Sequence, residues 1–438
     1  GSHSSMFLGS ARRRRFGFMS ATAQSMQWVS ALSTRASLEA AVREVTDQLR
    51  QQLPASPDLA MVFISSAFAS EYARLLPLLN EVITVPCLIG CSGGGVVGTP
   101  IGGSTLEVEQ KPALSVCAAI LPDVAVTSFY LREDDLPDLD SSPNDWIEQV
   151  GVSPADSPSF ILMADPLTSG INELLQGLDF AYPDAVKVGG LASVSSFQRS
   201  SGLFFNDTLQ TEGIVGVALS GNIVLDAIVA QGCRPIGQTF RVVAGERNIV
   251  LELEAVGDLN AAPQTPLVVL QNILKELDEG DRALAQNSLH IGIAQDGFKE
   301  NLNPGDFLIR NLLGVDPKIG AMAIADRIRV GQRVQFHLRD ARTSADDLET
   351  LLSSYQRQMQ LAPLTEVGGL LFSCMGRGEG LYQKPNFDSH LFNQYLEGVP
   401  LSGFFCGGEI GPVGGTTFLH GYTSVFGICR PAAKSVQA

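Results

Sequence analysis

Residues 403–415 read Gly-Phe-Phe-Cys-Gly-Gly-Glu-Ile-Gly-Pro-Val-Gly-Gly, a combination that leaves a chain few conformational choices. Phe404 and Phe405 suit a short buried strand, and the glycines after them suit a tight turn. Gly407, Gly408, Gly411, Gly414 and Gly415 free the backbone for positive φ or for close approach to a neighbour, and Gly408 is predicted to need positive φ. Such a turn can point peptide N–H groups at an anion or a carbonyl oxygen. A turn packed against neighbouring backbone has the same composition, so both readings stay open.

The pattern occurs twice more. Residues 85–97 (Val-Pro-Cys-Leu-Ile-Gly-Cys-Ser-Gly-Gly-Gly-Val-Val) and 186–194 (Val-Lys-Val-Gly-Gly-Leu-Ala-Ser-Val) are also apolar runs that break into small residues. Each of the three follows a strand-like run (61–66, 160–165, 370–375) and a stretch of helical character, and precedes another apolar run (114–121, 214–220, 422–429). This predicts an α/β fold of mixed sheets with flanking helices, built from a β-α-β-β unit used three times. Two hairpins are predicted, 114–121 with 124–131 across Pro122-Asp123, and 214–220 with 223–230 across Gly221-Asn222. If the units share a centre, their glycine turns converge on one site.

At 438 residues the chain exceeds one usual core, which predicts two domains. The pattern breaks at 231–235, so they are placed at 27–231 and 232–430. Residues 1–26 read as a tag remnant (1–5) and an arginine-rich leader, and 431–438 as a tail. In the second domain, strands are predicted at 240–244, 249–254, 289–294, 307–312, 321–324 and 334–338, with one helix carrying Val268, Leu270, Ile273, Leu274 and Leu277 and another over 345–360.

A net charge of −16 excludes nucleic acid as the partner, since phosphate binding needs a basic surface. No apolar run is long enough to span a membrane. Seven cysteines, several inside apolar runs, fit reduced thiols of an intracellular protein. Their spacing matches no zinc motif, and no metal or other cofactor is expected. The expected compartment is the cytoplasm, or a plastid or other organelle if Arg12–Arg15 ends a transit sequence.

Residues 369–380 (Gly-Leu-Leu-Phe-Ser-Cys-Met-Gly-Arg-Gly-Glu-Gly), taken with 403–415 and with His420-Gly-Tyr-Thr-Ser, resemble the FIST family of sensory domains, named for F-box and intracellular signal transduction proteins. Ile89-Gly-Cys-Ser-Gly-Gly-Gly resembles the turn in that family's N-terminal half, and the likeness covers about 27–430. The resemblance implies a non-enzymatic module for small ligands such as amino acids. The leader is too short and polar for the F-box found in some members, and no output domain is expected after 430. Signalling would then pass through a separate protein.

The candidate ligand-binding residues are Cys374, Gly376, Arg377, Glu379, Cys406, Gly407, Gly408, Glu409 and His420, with Cys91, Ser92 and Gly93 as the weaker N-terminal counterpart. Arg377 on a glycine-rich loop, with N–H groups of Gly407 and Gly408, would grip a carboxylate, and Glu379 or Glu409 would take an ammonium group. Two other classes stay open. One is a scaffold whose acidic surface recognises a basic protein; the other is a hydrolase or transferase with Cys91, Cys374 or Cys406 as nucleophile. Buried cysteines acting as small hydrophobes are the plainer reading.

Overall fold

The computed structural model describes residues 12–13, 25–194, 201–359 and 363–432. The tag remnant, most of the leader and the tail beyond 432 lie outside the described residues.

The strand Leu59–Ser65 is buried along its whole length, and the reason lies on its two faces. Leu59, Met61 and Phe63 point into one apolar core, while Ala60, Val62 and Ile64 meet the helices Leu38–Gln52 and Tyr72–Asn80. A strand covered on both sides has no use for alternation, so its sequence is a continuous apolar run. Phe160–Ala164 repeats this arrangement, with Ile161 and Met163 in the same core and Phe160 and Leu162 under the helices Pro143–Val150 and Ile171–Ala181. Leu370 and Phe372, from Gly368–Cys374, face that core too. Three sheets therefore share one interior.

Each sheet contains one parallel strand pair joined by a helical crossover: Leu59–Ser65 with Cys87–Gly93, Ser159–Ala164 with Lys187–Leu191, and Gly368–Cys374 with Leu401–Cys406. In every pair a glycine sits across from an apolar partner (Gly90↔Val62, Gly189↔Leu162, Gly403↔Leu371). A Cβ there would lie 2.2, 1.8 and 1.8 Å from the partner's carbonyl oxygen, so no other residue fits. The chain then leaves its own sheet. After Cys87–Gly93 the strand Gly95–Gly98 pairs with Leu401–Cys406; after Leu401–Cys406 the strand Glu409–Val413 pairs with Lys187–Leu191; and Leu203–Phe205 pairs with Cys87–Gly93. Strand order around the parallel pair is the same in all three sheets.

The two predicted hairpins do not form. Leu114–Ile120 pairs with Gln27–Ser33 and Leu59–Ser65, whereas Val124–Leu131 joins a different sheet beside Ile214–Gly221. Val224–Ala230 likewise sits beside Ser424–Arg430. The tight turns are real, with positive φ at Asp123 and Gly221, but they step the chain from sheet to sheet. Both flanking strands are apolar enough to need full cover, which a lone hairpin cannot give.

The chain forms two compact units, residues 1–229 with 351–412 and 416–438, and residues 230–350 with 413–415. The exit from the first unit falls beside the break read at 231–235. The expected domain 232–430 is nevertheless divided, because Leu370, Phe372, Phe404 and Val425 belong to the core that holds Leu59 and Met61. What 230–350 builds is a closed six-stranded barrel (Cys233–Glu246, Ile249–Ala255, Met322–Ile324, Phe307–Val315, Leu289–Ala294, Arg333–Arg339). Val334, Phe336 and Leu338 fill it together with Val242, Val250 and Ile291. No described helix is long and apolar enough to cross a membrane.

Candidate functional site

The strand exchange brings the three glycine-rich stretches to one place, at the carboxyl ends of the parallel pairs. The residues at matching positions after the register glycines are Gly94, Ser193 and Gly407. Ser193 Oγ accepts from the Gly94 N–H at 2.8 Å and donates to the Phe405 carbonyl. The Gly407 N–H donates to Leu191 O at 3.1 Å, Leu191 N–H donates to Gly408 O at 2.8 Å, and Met375 N–H donates to Cys406 O at 3.2 Å. Ser92 joins through its carbonyl, which accepts from Ser193 N–H at 3.2 Å, and through its hydroxyl, which accepts from Gly202 N–H at 3.0 Å. The junction is a hydrogen-bond network of backbone and the hydroxyls of Ser193 and Ser92.

Gly407 and Gly408 do not have positive φ; in this stretch that conformation belongs to Gly414 and Gly415. The chain bends at Gly407 and Gly408 between Cys406 and Glu409, and Gly408 is needed there for space instead. A Cβ on it would stand 3.1 Å from the side chains of Leu191 and Leu419. Gly93 is a close-approach glycine too, with the Gly95 and Phe405 carbonyls at 2.8 and 3.1 Å from a notional Cβ.

Arg377 is not an open loop arginine. Its side chain is wholly buried, with Nε and Nη2 donating to Asp388 at 3.1 and 3.2 Å and Nη2 also to the Tyr382 hydroxyl at 2.8 Å. Asp388 accepts further from Ser424 Oγ at 2.8 Å. Glu107 stands close by, taking the N–H and hydroxyl of Ser389 at 3.2 and 2.6 Å. Burial and the neighbouring Asp388 charge push the Glu107 carboxyl up to about 7. A buried cation already held by a carboxylate and a phenol is not available to a ligand's carboxylate.

The other expected ligand groups separate as well. Glu379 is exposed at the surface. Glu409 is buried and accepts from Thr423 N–H at 2.9 Å, and His420, also buried, donates from Nε2 to Gly411 O at 3.0 Å. The clamp of Arg377 with Glu379 or Glu409 is not assembled. Cys91 and Cys406 are buried in the core, and desolvation raises both thiols well above their ordinary range, which removes the thiolate a nucleophile needs. Cys374 is half-buried and its Sγ accepts from Gly376 N–H at 3.3 Å. What the junction shows to solvent is Met375, Gly376, Gly407 and Tyr422, with Cys374 behind them.

Sequence reasoning passed over Ser193, which occupies the position where the other two stretches carry glycine. Aligning the three stretches on Gly90, Gly189 and Gly403 would have found it. Asp388 and Tyr382, the partners of Arg377, carry no signal in the linear sequence.

Residues 58–256 match the FIST N domain and residues 266–412 the FIST C domain. An uncharacterised protein of Mycobacterium tuberculosis is 32% identical over 394 residues, covering 90% of this chain and 97% of that protein. An uncharacterised protein of Mycobacterium bovis is 32% identical over 397 residues, 90% of this chain and 96% of its own. An F-box/LRR-repeat protein of Arabidopsis thaliana is 23% identical over 307 residues, 62% of this chain and 58% of that protein.

Proposed function

The chain belongs to the FIST family, and from that premise we propose that it is a small-ligand sensory module whose ligand meets the solvent face of the strand-end junction. FIST halves are consistent with a sensory domain of signal transduction. The observation that carries the reading is the convergence of three strand ends on Ser193, because ligands of α/β sheets gather outside the carboxyl ends of parallel strands. Met375, Gly376, Gly407 and Tyr422 form the rim there. The ligand class in this reading is amino acids and related small metabolites, held by the Tyr422 hydroxyl and rim backbone in place of the Arg377 clamp. The compartment in this reading is the cytoplasm, and the signal passes on through a protein partner.

A thermal-shift screen of amino acids and small metabolites on wild type, Met375→Ala and Tyr422→Ala tests it. Both side chains are about 40% exposed, so neither change costs the apo protein much. The expected result is a ligand that raises the wild-type Tm and loses that shift in both variants. A shift that survives both places the ligand elsewhere.

A second reading, a protein-interaction scaffold, draws on the barrel unit. Phe298 and Leu259 are fully exposed there, and Leu313, Ile319 and Val330 are more than half exposed. Contiguous exposed apolar surface marks interaction sites, and these five side chains are the candidates for one. Phe298→Asp with Leu313→Asp would abolish partner capture under this reading and leave the ligand-induced Tm shift unchanged.

A further inference from the structure

Six of the seven cysteines are buried, and Cys374 is the exception, half-buried at the end of the strand Gly368–Cys374 where the chain turns out to the rim. It has a second thiol beside it. The parallel ladder between Gly368–Cys374 and Leu401–Cys406 ends on Cys374 and Cys406 as direct register partners. Side chains repeat every second residue along a strand, so Leu370, Phe372 and Cys374 share one face of the sheet, and Phe404 and Cys406 share the same face on the neighbouring strand. Partners on this face meet, because the Phe372 and Phe404 rings of the preceding pair pack edge to face with centroids 5.8 Å apart. The Met375 N–H still donates to Cys406 O at 3.2 Å, so the ladder holds its spacing up to the two thiols.

Neighbouring strands stand about 4.8 Å apart, inside the Cα separation of about 4.4–6.8 Å that a disulfide spans. Closing the bond draws the two Cβ atoms slightly together, and the chain can yield there. Gly376 lies two residues beyond Cys374, and Gly407 and Gly408 follow Cys406 directly. The two thiols differ in access. Cys406 is wholly buried, whereas Cys374 reaches solvent with its Sγ accepting from the Gly376 N–H at 3.3 Å. A small oxidant therefore meets Cys374 first.

We propose that Cys374 and Cys406 form a peroxide-responsive modification site, in which Cys374 is oxidised first and Cys406 resolves it into a disulfide. Cys374 gives up its proton and attacks one oxygen of hydrogen peroxide. The S–O bond forms as the O–O bond breaks, and the departing hydroxide takes that proton and leaves as water. The Cys406 sulfur then attacks the sulfur of the Cys374 sulfenic acid, the S–O bond breaks, and the second hydroxide takes the Cys406 proton. Two thiols and one peroxide give one disulfide and two waters, with each sulfur losing one electron. Because its proton leaves with the hydroxide, Cys406 needs no standing thiolate, and its burial is compatible with this step. The disulfide draws Cys374 Sγ off the Gly376 N–H, so the change is felt at the rim. A low-molecular-weight thiol reverses it by exchange, as expected of a redox-sensing bond.

The test exposes the full chain to hydrogen peroxide under native conditions, blocks it with N-ethylmaleimide, and digests it without reductant for mass spectrometry. A peptide linked between Cys374 and Cys406 is expected, and dithiothreitol removes it. Cys374 is expected to be consumed roughly tenfold faster than the buried Cys87, Cys117 and Cys429. In Cys406→Ala, dimedone labels Cys374; in Cys374→Ser, a change at a half-buried position, Cys406 reacts as slowly as Cys117. The proposal is overturned if Cys374 passes to the sulfinic acid with no linked peptide, or if Cys406 links to Cys91 instead. It is equally overturned if Cys374 links to a second molecule, or if Cys406 is consumed at the wild-type rate in Cys374→Ser. The thiol chemistry does not depend on ligand binding at the rim, so failure of either reading leaves the other standing.

Discussion

The two ends of the strand pair Leu59–Ser65 and Cys87–Gly93 are built in opposite ways. At the carboxyl end, glycines bring three sheets so close that Ser193 hydrogen-bonds to Gly94 and Phe405, and Leu191 to Gly407 and Gly408, filling the space with backbone. At the amino end, Ala60 and Ala118 are too small for the gap beneath the helices and leave it open. Close approach fixes the first end because every shift there breaks a buried hydrogen bond. The second end is held by non-directional apolar contact, which no single hydrogen bond fixes. The difference teaches that rigidity and space need not come from different domains; glycine and alanine placed along the same strands supply both.

Adding a single methyl group at the tight end breaks the comparison most severely. Gly403→Ala would put a Cβ 1.8 Å from the Leu371 carbonyl oxygen, a backbone atom that cannot yield, and is expected to cost more than about 4 kcal/mol or prevent folding. Urea denaturation measures it, and a Tm within a few degrees of wild type contradicts the packing described. Next is the buried ion pair beside the junction. Arg377→Ala leaves Asp388 buried without its cation and is expected to cost about 3–5 kcal/mol. A loss under about 1 kcal/mol means the arginine is a surface group after all.

The same polar cluster gives the tight end a pH dependence. Glu107 rises from 4.5 to about 7 on folding, so between those values the folded state keeps a proton that the unfolded state has released. Stability therefore falls as pH rises from about 4.5 to 7 and levels off above, by about 1–3 kcal/mol. Glu107→Gln should flatten that slope in denaturation curves taken across the window. An unchanged slope removes Glu107 as its source. The smallest effect belongs to the open end, where Ala118→Val should stabilise by about 0.5–1 kcal/mol because it fills space at no backbone cost. A destabilised variant shows that the gap is already closed.

The sequence made the tight end legible and hid the open one. Strands broken by glycine announce themselves locally, so the three strand-and-turn stretches could be read from 85–97, 186–194 and 403–415, while their convergence depends on a shared core that those stretches do not report. The hairpins misled because a tight turn between two apolar runs looks the same whether the strands pair or separate into two sheets; that choice is made by the shared core around Leu59, Met61 and Leu370. Arg377 misled for a similar reason. A glycine-rich loop reads as exposed, and its burial depends on Asp388 and Tyr382, which the chain supplies from the following helical segments. The gap beneath the helices needs Ala60 and Ala118 to be register partners, and no linear pattern reports which strands are neighbours.

The central claim, that a small ligand meets the solvent face of the strand-end junction, is tested most directly by 13C-methyl methionine spectra of the full chain. Met375 is 40% exposed at the rim, whereas Met61, Met163 and Met322 are buried in the cores and serve as internal references. Titration with a compound that raises the Tm should shift the Met375 methyl saturably and leave those three in place. A compound that stabilises the protein while the Met375 resonance stays still would contradict the claim.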